Sequence, residues 1–490
     1  MAARRYLAFD LGAESGRAVV GTLQDGRLSL EEIHRFLNEP VEVCGTMHWD
    51  ILSLYNNILR GMREYVKRYG DSVDGIGIDT WAVDFALFGS DGKLLQNPVC
   101  YRDKRTEGMV DKALEKMTSM ELYEETGLAI LSIHTLFQLL SLRRGDSPFL
   151  DMADSFLMIP STLGYFLTGQ RQVERSNAIS TQVYNPRSGQ WSEKVFAAYD
   201  LPRSIMPRLV DPGTRLGPLL DSVKDSTGLR HGDVISVCNH DTGSAVAAVP
   251  AEGGSWAFIS SGTWSILGAL SPQVITTQES FAARMVNELT VGSFFLARNI
   301  MGLWLLQQSR ASWARAGQDY SYGQLAEMAA GAPADGPVIF PDHLSFLSPA
   351  DMPTAIADYC RATGQRPPEG PAAISRCILE SLALIYREDL EKLAQIQGRR
   401  FDAVHVVGGG SQNALLCQFT ADAAGIPVIA GPVEATVAGN ILVQALATGD
   451  VASAEEIRKV VRDSNEMVRY EPQDKAAWDA RFETYRGLQR

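Results

Sequence analysis

One stretch near the middle of the chain restricts the choice of fold more than any other: Val234-Ile-Ser-Val-Cys-Asn-His-Asp-Thr-Gly-Ser-Ala-Val-Ala-Ala-Val-Pro250. Its β-branched beginning (Val234, Ile235, Val237) predicts a short buried strand. Polar Asn239-His240-Asp241-Thr242-Gly243 ends that strand, and the small apolar residues from Ala245 to Val249 predict a helix packed closely on a sheet. Asp241 then stands where a strand gives way to a helix. That is the carboxyl edge of a sheet, where open α/β folds bind ligands. Free N–H groups at a helix start favour an ionised carboxylate, and an ionised, ligand-facing Asp can take a proton from a hydroxyl. The same position also suits a plain helix N-cap.

The rest of the chain supplies one element order twice. Residues 6–10 read as a buried strand ending in an acid, 11–16 as a tight turn and 17–23 as the returning strand. Asp25-Gly26 signals a hairpin into a third strand near 28–34. A helix follows over 49–69, with Ile51, Leu54, Ile58, Met62 and Tyr65 on one face, and then a strand over 74–79. Residues 102–200 read as a mainly helical insertion, with helices near 104–118, 134–144 and 193–199. After Pro250 the order restarts: strand 255–259, turn 260–263, strand 264–270, helix 372–397, strand 404–407, a glycine turn at 408–410 and a helix over 411–424. A last strand at 427–430 and helices near 435–448, 453–464 and 473–487 complete it. Alternation of this kind makes the chain α/β.

Composition removes several function classes. At 490 residues the chain is too long for one core, and two or three domains are expected. A net charge of −13 argues against general nucleic-acid binding, although local backbone donors can still hold a phosphate. Six scattered cysteines (Cys44, Cys100, Cys238, Cys360, Cys377, Cys417) without a CxxC pair read as reduced thiols, Cys360 and Cys377 being the one pair that a disulfide could join. No histidine spacing suits zinc. No targeting segment precedes the first strand and no apolar run is long enough to cross a membrane, so a cytoplasmic protein is expected.

Three glycine turns are candidate phosphate contacts: Asp10-Leu-Gly-Ala-Glu-Ser-Gly-Arg17, Ser260-Ser-Gly-Thr263 and Gly408-Gly-Gly-Ser-Gln-Asn413. Without Cβ atoms the backbone can approach a ligand and offer N–H groups to phosphate oxygens. Arg17 would add charge, and Asp10 could hold a hydrated Mg²⁺. Each turn alone also suits an ordinary hairpin or helix start. None has the Walker A or dinucleotide spacing. Asp79-Thr-Trp-Ala-Val-Asp84 and Arg102-Asp103 combine carboxylates, Arg and an aromatic, which suits a sugar. Asn299 is read as the start, and a cap, of a helix running past Gln307.

Taken together, FDLGAESGR, IHRF, GIDTWAVDFAL, YRD from Tyr101, HTLFQL, NHDTGSAV, SSGTWS, RNIMGLWLLQ from Arg298, CILESLAL, VVGGGSQN and IAGPVEATVAGNI resemble the FGGY carbohydrate kinases. They span Phe9 to Ile441, nearly the whole chain. The resemblance implies two actin/hexokinase-like (ribonuclease H-like) ATPase lobes around a central cleft. Residues 1–250 would form the sugar-binding lobe with the phosphate loop and base, and 251–490 the nucleotide-binding lobe. It further implies ATP-dependent phosphorylation, with Mg²⁺, of O1 of L-rhamnulose. L-Fuculose or another ketose, or a non-catalytic sugar-sensing protein, are the alternatives. By resemblance Asp241 is the catalytic base, and Ala13, Glu14, Ser15, Gly16, Arg17, Thr263, Gln307 and Gly409 contact ATP. Ala82, His240, Asp241, Thr242 and Asn299 lie at the sugar, with Asp84 and Arg102 joined to them from their motifs. Glu14 stands where a relative has serine, Ala82 where glycine can occur, and Arg298 where the motif has Lys. The expected partners are a ketose and ATP, with neither nucleic acid nor membrane, and a monomer or small homo-oligomer.

Overall fold

The computed structural model describes residues 3–145 and 147–488. The chain packs as two units. The first takes Met1–Ala248, Ser271–Leu296 and Thr436–Ser464; the second takes Val249–Leu270, Ala297–Ala435 and Asn465–Arg490. Both are discontinuous, whereas the sequence pattern suggests a single division at residue 250.

The first unit is built on a six-stranded sheet. Its strands are β1 (Arg4–Leu11), β2 (Ser15–Gln24), β3 (Arg27–Leu37), β4 (Gly75–Thr80), β5 (Thr214–Pro218) and β6 (Asp233–Ser236), in the order β3-β2-β1-β4-β6-β5. β1, β4 and β6 run parallel, and the rest of the pairings are antiparallel. Asp25 and Gly26, at φ 51° and 75°, make the tight turn between β2 and β3, a conformation in which both central residues need positive φ. Helix α1 (Ile51–Tyr69) starts at Asp50, whose carboxylate accepts from Ser53 N at 3.0 Å, and ends at Gly70. It buries Ile51, Leu54, Ile58, Met62 and Tyr65 against Leu7, Phe9, Ile76 and Ile78 of the sheet. Each such side chain contributes roughly 1.5–3 kcal/mol.

The insertion over 102–200 has its own core, with Phe85, Phe156, Trp191 and Phe196 at its centre. Two of its expected helices form, α2 (Thr135–Arg144) and the helix Glu193–Tyr199. The third is broken. A 3-10 turn over Lys104–Thr106 is capped by Asp103, and Gly108 at φ 73° separates it from the helix Met109–Leu114. Short strands also enter this region, among them Phe85–Phe88 paired with Ser155–Met158. Helix α3 (Asp241–Ala247) follows β6, and strand β7 (Trp256–Ser261), in the second unit, comes next.

The second unit repeats the first sheet's plan. After β7 come β8 (Trp264–Ser271), β9 (Val286–Thr290, counted in the first unit), β10 (Ser293–Met301), β11 (Ala403–Val407), β12 (Val428–Ala430) and β13 (Val468–Tyr470). The order β10-β8-β7-β11-β12-β13 mirrors β3-β2-β1-β4-β6-β5. The central pairings match in sense as well: β7 is antiparallel to β8 and parallel to β11, β12 is parallel to β11, and β13 is antiparallel to β12. Helices α4 (Trp304–Arg315), α5 (Gly370–Gln397) and α6 (Ala414–Ala424) belong to this unit. Helix α7 (Ala435–Thr448) returns to the first unit, where Gly439 lies against the backbone of Ser244 in α3. A Cβ at Gly439 would fall 1.9 Å from Ser244 O, so this crossing requires glycine.

Candidate active site

The carboxyl ends of β1, β4 and β6 bring the acids of the first unit to one edge. Asp10 and Asp79 are register partners, and Thr80 bridges His240 just beyond β6. Asp79 is wholly buried; its Oδ2 accepts from Asn440 Nδ2 at 2.7 Å, and its Oδ1 has no hydrogen bond. Burial, then the charge of Asp10, lifts its pKa well above the usual carboxylate range.

His240, not Asp241, occupies the N-cap position of α3, and Asp241 is the first helical residue. A capping side chain would reach the N–H two or three residues on. Asp241 Oδ1 instead accepts from its neighbour Thr242, from N at 2.6 Å and from Oγ1 at 3.2 Å. The side chain remains 36% exposed. Burial raises its pKa, and His240 pulls against that rise. The turn before it is held by a buried acid, Glu174. Its Oε2 accepts from Asn239 N at 2.9 Å and its Oε1 from Ser176 N at 2.6 Å, while Ser176 Oγ accepts from His240 N at 3.2 Å. Burial pushes Glu174 up to about 7. Glu288 on β9 completes the surroundings: its Oε2 lies 3.0 Å from His240 Nδ1, and His240 Nε2 lies 3.4 Å from Asp241 Oδ1.

The motif after β4 is a strained turn. Val83 sits at φ 69°, uncommon for a β-branched residue. Thr135 Oγ1 donates to its carbonyl at 2.6 Å, and Ser180 Oγ accepts its N–H at 3.3 Å. This turn leaves Ala82 partly exposed and turns Asp84 inward. Asp84 Oδ2 accepts from Trp49 Nε1 (2.6 Å), Trp81 Nε1 (3.0 Å) and Tyr101 N (3.1 Å), and Oδ1 from Gln138 Nε2 (2.9 Å). Its pKa rises to about 6 because burial outweighs these bonds. Asp84 therefore braces the two indoles, whose rings lie 4.4 Å apart, instead of opening towards a ligand. Arg102 is exposed, with its guanidinium over the Tyr101 ring at 5.3 Å.

The first glycine turn is shorter than its motif. β2 already begins at Ser15, so only Gly12, Ala13 and Glu14 lie between strands, with Gly12 N donating to Ser15 O at 2.8 Å. Glu14 is exposed and Ala13 partly so. Gly16 is a strand residue, and its missing side chain makes room for Phe36, 2.3 Å from a Cβ, and not for a ligand. Arg17 donates to Asp10 Oδ2 from Nε at 2.9 Å and Nη2 at 2.8 Å.

In the second unit the turn after β7 meets the start of α4, and the glycines after β11 meet the end of β7. Gly262 O accepts from Leu303 N at 3.1 Å, and Thr263 O from Trp304 N at 3.0 Å. Gln307 is one turn into α4. Of the three glycines after β11, Gly408 and Gly410 press on Ser261, while a Cβ on exposed Gly409 would meet nothing within 4 Å. Thr263 is thus joined to the start of α4, and Gly409 follows β11, the strand paired with β7. Asn299 departs from expectation. It lies in β10, which runs to Met301, and the helix begins only at Trp304. Its buried Oδ1 has no hydrogen bond.

The N-terminal domain of the FGGY family of carbohydrate kinases matches residues 5–248, and its C-terminal domain matches residues 257–448. The chain belongs to the FGGY family of carbohydrate kinases. A rhamnulokinase of Bacteroides thetaiotaomicron is 43% identical over 98% of both chains, and one of Bacillus subtilis is 36% identical over 96% of both. Among solved structures, a xylulose kinase from Lactobacillus acidophilus superposes with a TM-score of 0.82 at 15% identity, covering 98% of this chain and 97% of that one. Plasmodium falciparum glycerol kinase with ADP gives 0.77 at 17% identity, covering 100% and 99%. The fold is accordingly the two-lobed, actin/hexokinase-like α/β fold of these enzymes, and the protein is an ATP-dependent sugar kinase.

This FGGY kinase uses Arg298 as a buried fork. Nη1 reaches Asp389 at 2.5 Å and Nη2 reaches Asp342 at 2.6 Å, while Asp342 Oδ1 accepts from Met301 N at 2.7 Å. The network fixes the end of β10 beside Asn299, and the planar fork suits it in a way a lysine does not. All six cysteines of the kinase are free, Cys360 and Cys377 among the five that are buried. Among the described residues no helix is long and apolar enough to cross a membrane.

Proposed function

We propose that this kinase transfers the γ-phosphoryl group of ATP to O1 of L-rhamnulose, giving L-rhamnulose 1-phosphate and ADP in L-rhamnose breakdown. The observation that carries this reading is full-length similarity, at 36–43% identity, to proteins named rhamnulokinase. Phosphoryl transfer asks for positioning and charge neutralisation more than covalent chemistry from the protein. Asp241 takes the proton of the O1 hydroxyl as it attacks. The carboxylate suits this role, being fixed by Thr242, half-open, and set among charges that oppose each other. Ala82, His240, Thr242 and Asn299 line the sugar, with Arg102 at its outer side. Asp84 acts through the indoles that it braces. The turn from Ala13 to Arg17 lies at the phosphates, with the backbone N–H groups of Ala13 and Glu14, which precede β2, meeting phosphate oxygens, and Thr263, Gln307 and Gly409 hold the nucleotide. Glu14 is exposed.

The acid edge also fits a magnesium ion arriving with ATP. Asp79 Oδ1 is buried without a partner, and Asp10 stands beside it in register. Among the described residues no cage of three or more ligating side chains is assembled, in keeping with a cation that keeps most of its waters and binds one or two carboxylates plus phosphates. When bound, the ion neutralises charge on the phosphates. Asp10 would hold it through water, and Arg17 orients its carboxylate by donating to Oδ2 from Nε and Nη2.

The reading is tested by an ADP-release assay with Mg-ATP across a ketose panel. Turnover on L-rhamnulose, abolished in Asp241→Asn, is the expected result. Preference for L-fuculose would replace the substrate and keep the chemistry. ATP binding without turnover on any sugar would point to the sensing protein instead.

A further inference from the structure

The ring of His240 lies between two carboxylates that come from different elements. Nε2 faces Asp241 Oδ1 at 3.4 Å on its own helix, and Nδ1 faces Glu288 Oε2 at 3.0 Å on β9. Glu288 is 6% exposed and His240 9%. The Nδ1–Oε2 contact falls off the line of a hydrogen bond, and neither atom makes another one. A buried carboxylate without a hydrogen bond costs free energy unless an opposite charge sits against it. The packing supports the contact from behind. Thr290, two residues along β9, donates from Oγ1 to Gly243 O at 2.7 Å, which ties the strand to α3.

We propose that Glu288 is a positioning residue: its carboxylate fixes the ring of His240, and through that ring it orients Asp241. The inference rests on the reading of Asp241 as the base. The charges around the ring decide what it does. Burial pulls the pKa of His240 down, but Glu288, Asp241 and Glu174 outweigh burial and lift it to about 9. Around these groups, Asp10 adds negative charge at Asp241, Asp79 lies near enough to Asp10 and Asp241 to feel the charge of both, and His134, held neutral at about 4, faces Glu288. A cationic His240 keeps Asp241 ionised, as a base must be. It also has no lone pair left, so it meets the sugar only as a donor to an oxygen acceptor. Glu288 thereby selects a substrate that offers an acceptor, a carbonyl or ring oxygen, at that point.

The test follows the imidazole and the rate together in Glu288→Gln, which keeps shape and removes charge. ¹⁵N chemical shifts of His240 in the full-length enzyme should show a ring protonated beyond pH 8 in wild type, and titrating near or below its ordinary value of about 6.5 in the variant. In the same variant kcat/KM at pH 7 should fall about 10- to 100-fold, less than the roughly 10²- to 10⁴-fold share of a proton-transfer group itself. Its acid limb should move up by about one pH unit, with recovery at higher pH as Asp241 ionises. Glu288→Asp, which retains the charge, should recover most of both effects. A wild-type ring that titrates at or below 6.5 overturns the proposal. So does a Glu288→Gln variant whose loss is equal at every pH, the mark of a merely structural role. Asp241→Asn separates the two readings: wild-type turnover there removes the base, while the imidazole titration still decides the pairing of Glu288 with His240.

Discussion

The two sheets share a topology and differ in what stands at their carboxyl edges. In the first, parallel strands end in Asp10 and Asp79, and Asp241 follows β6. In the second, β7 ends in Ser260 and Ser261 with Gly262 and Thr263 after it, and three glycines follow β11. One edge gathers negative charge, which suits a proton and a cation. The other offers part-exposed Ser260 and Thr263 and the bare backbone of exposed Gly409, which suits an anion. A fold delivers strand ends to a common line, and the residues placed there decide which half of a reaction that line can serve.

This contrast can be broken first at the acid edge. Asp241→Asn should lower kcat by about 10³-fold, within the range for a general base, with both KM values nearly unchanged in the ADP-release assay. Retained turnover would deny the acid edge its chemistry. Next in size is a pH effect confined to the first unit, where His134 is buried neutral, its Nδ1 2.9 Å from Gln182 Oε1. Its pKa is lowered to about 4 by burial. Its stability contribution is fully present above about 6.5 and is lost as pH falls through 4, up to about 3 kcal/mol. Asp84 and Glu174, raised to about 6 and 7, act in the opposite sense as pH falls. The comparison is therefore between proteins: His134→Gln should lose less melting temperature than wild type between pH 7 and 4.5.

The donor edge is tested through its glycines. Gly410→Ala drives a Cβ to 2.0 Å from Ser261 Oγ and should cost about 1–3 kcal/mol in urea unfolding, the usual range for overpacking. Gly16→Ala, pressed on Phe36, should cost a similar amount in the first unit. Gly409→Ala meets open space and should leave stability within about 0.5 kcal/mol. Any effect it has should fall on the KM for ATP. A large stability loss at Gly409 would mean that the edge is structural and not a ligand surface.

Much of this arrangement is legible in the residues. The β-branched runs before Asp10, Asp79 and Asp241 and the periodic face of α1 are local signals, and they place the acid edge directly. The departures arise where the deciding partner is distant. Asn299 looks helical because the periodicity of Trp304–Arg315 extends upstream, but Arg298 is claimed by Asp342 and Asp389, which hold the segment as a strand. The helix expected over 104–118 breaks at Gly108, where the chain takes positive φ. Asp84 looks like a sugar ligand until Trp49, Trp81, Tyr101 and Gln138 are found to fill its lone pairs. Glu288 has no local mark at all: a single acid in a strand acquires meaning only from a histidine 48 positions earlier.

Helix α7 carries a consequence for how the polypeptide is made. Asn440 donates to Asp79, and Gln444 Nε2 reaches Leu7 O at 3.3 Å, so a late segment fills the heart of the earliest-synthesised sheet. Roughly 190 residues separate Ala248 from Thr436. At ribosomal speeds of about 5–20 residues per second, the nascent first unit waits roughly 10–40 s for its missing helix. Until then, Gly75 and Gly77 of β4 lack the side chains that cover them in the finished protein. Synthesis of α7, and not emergence of the amino-terminal half, is the event that closes the acid edge.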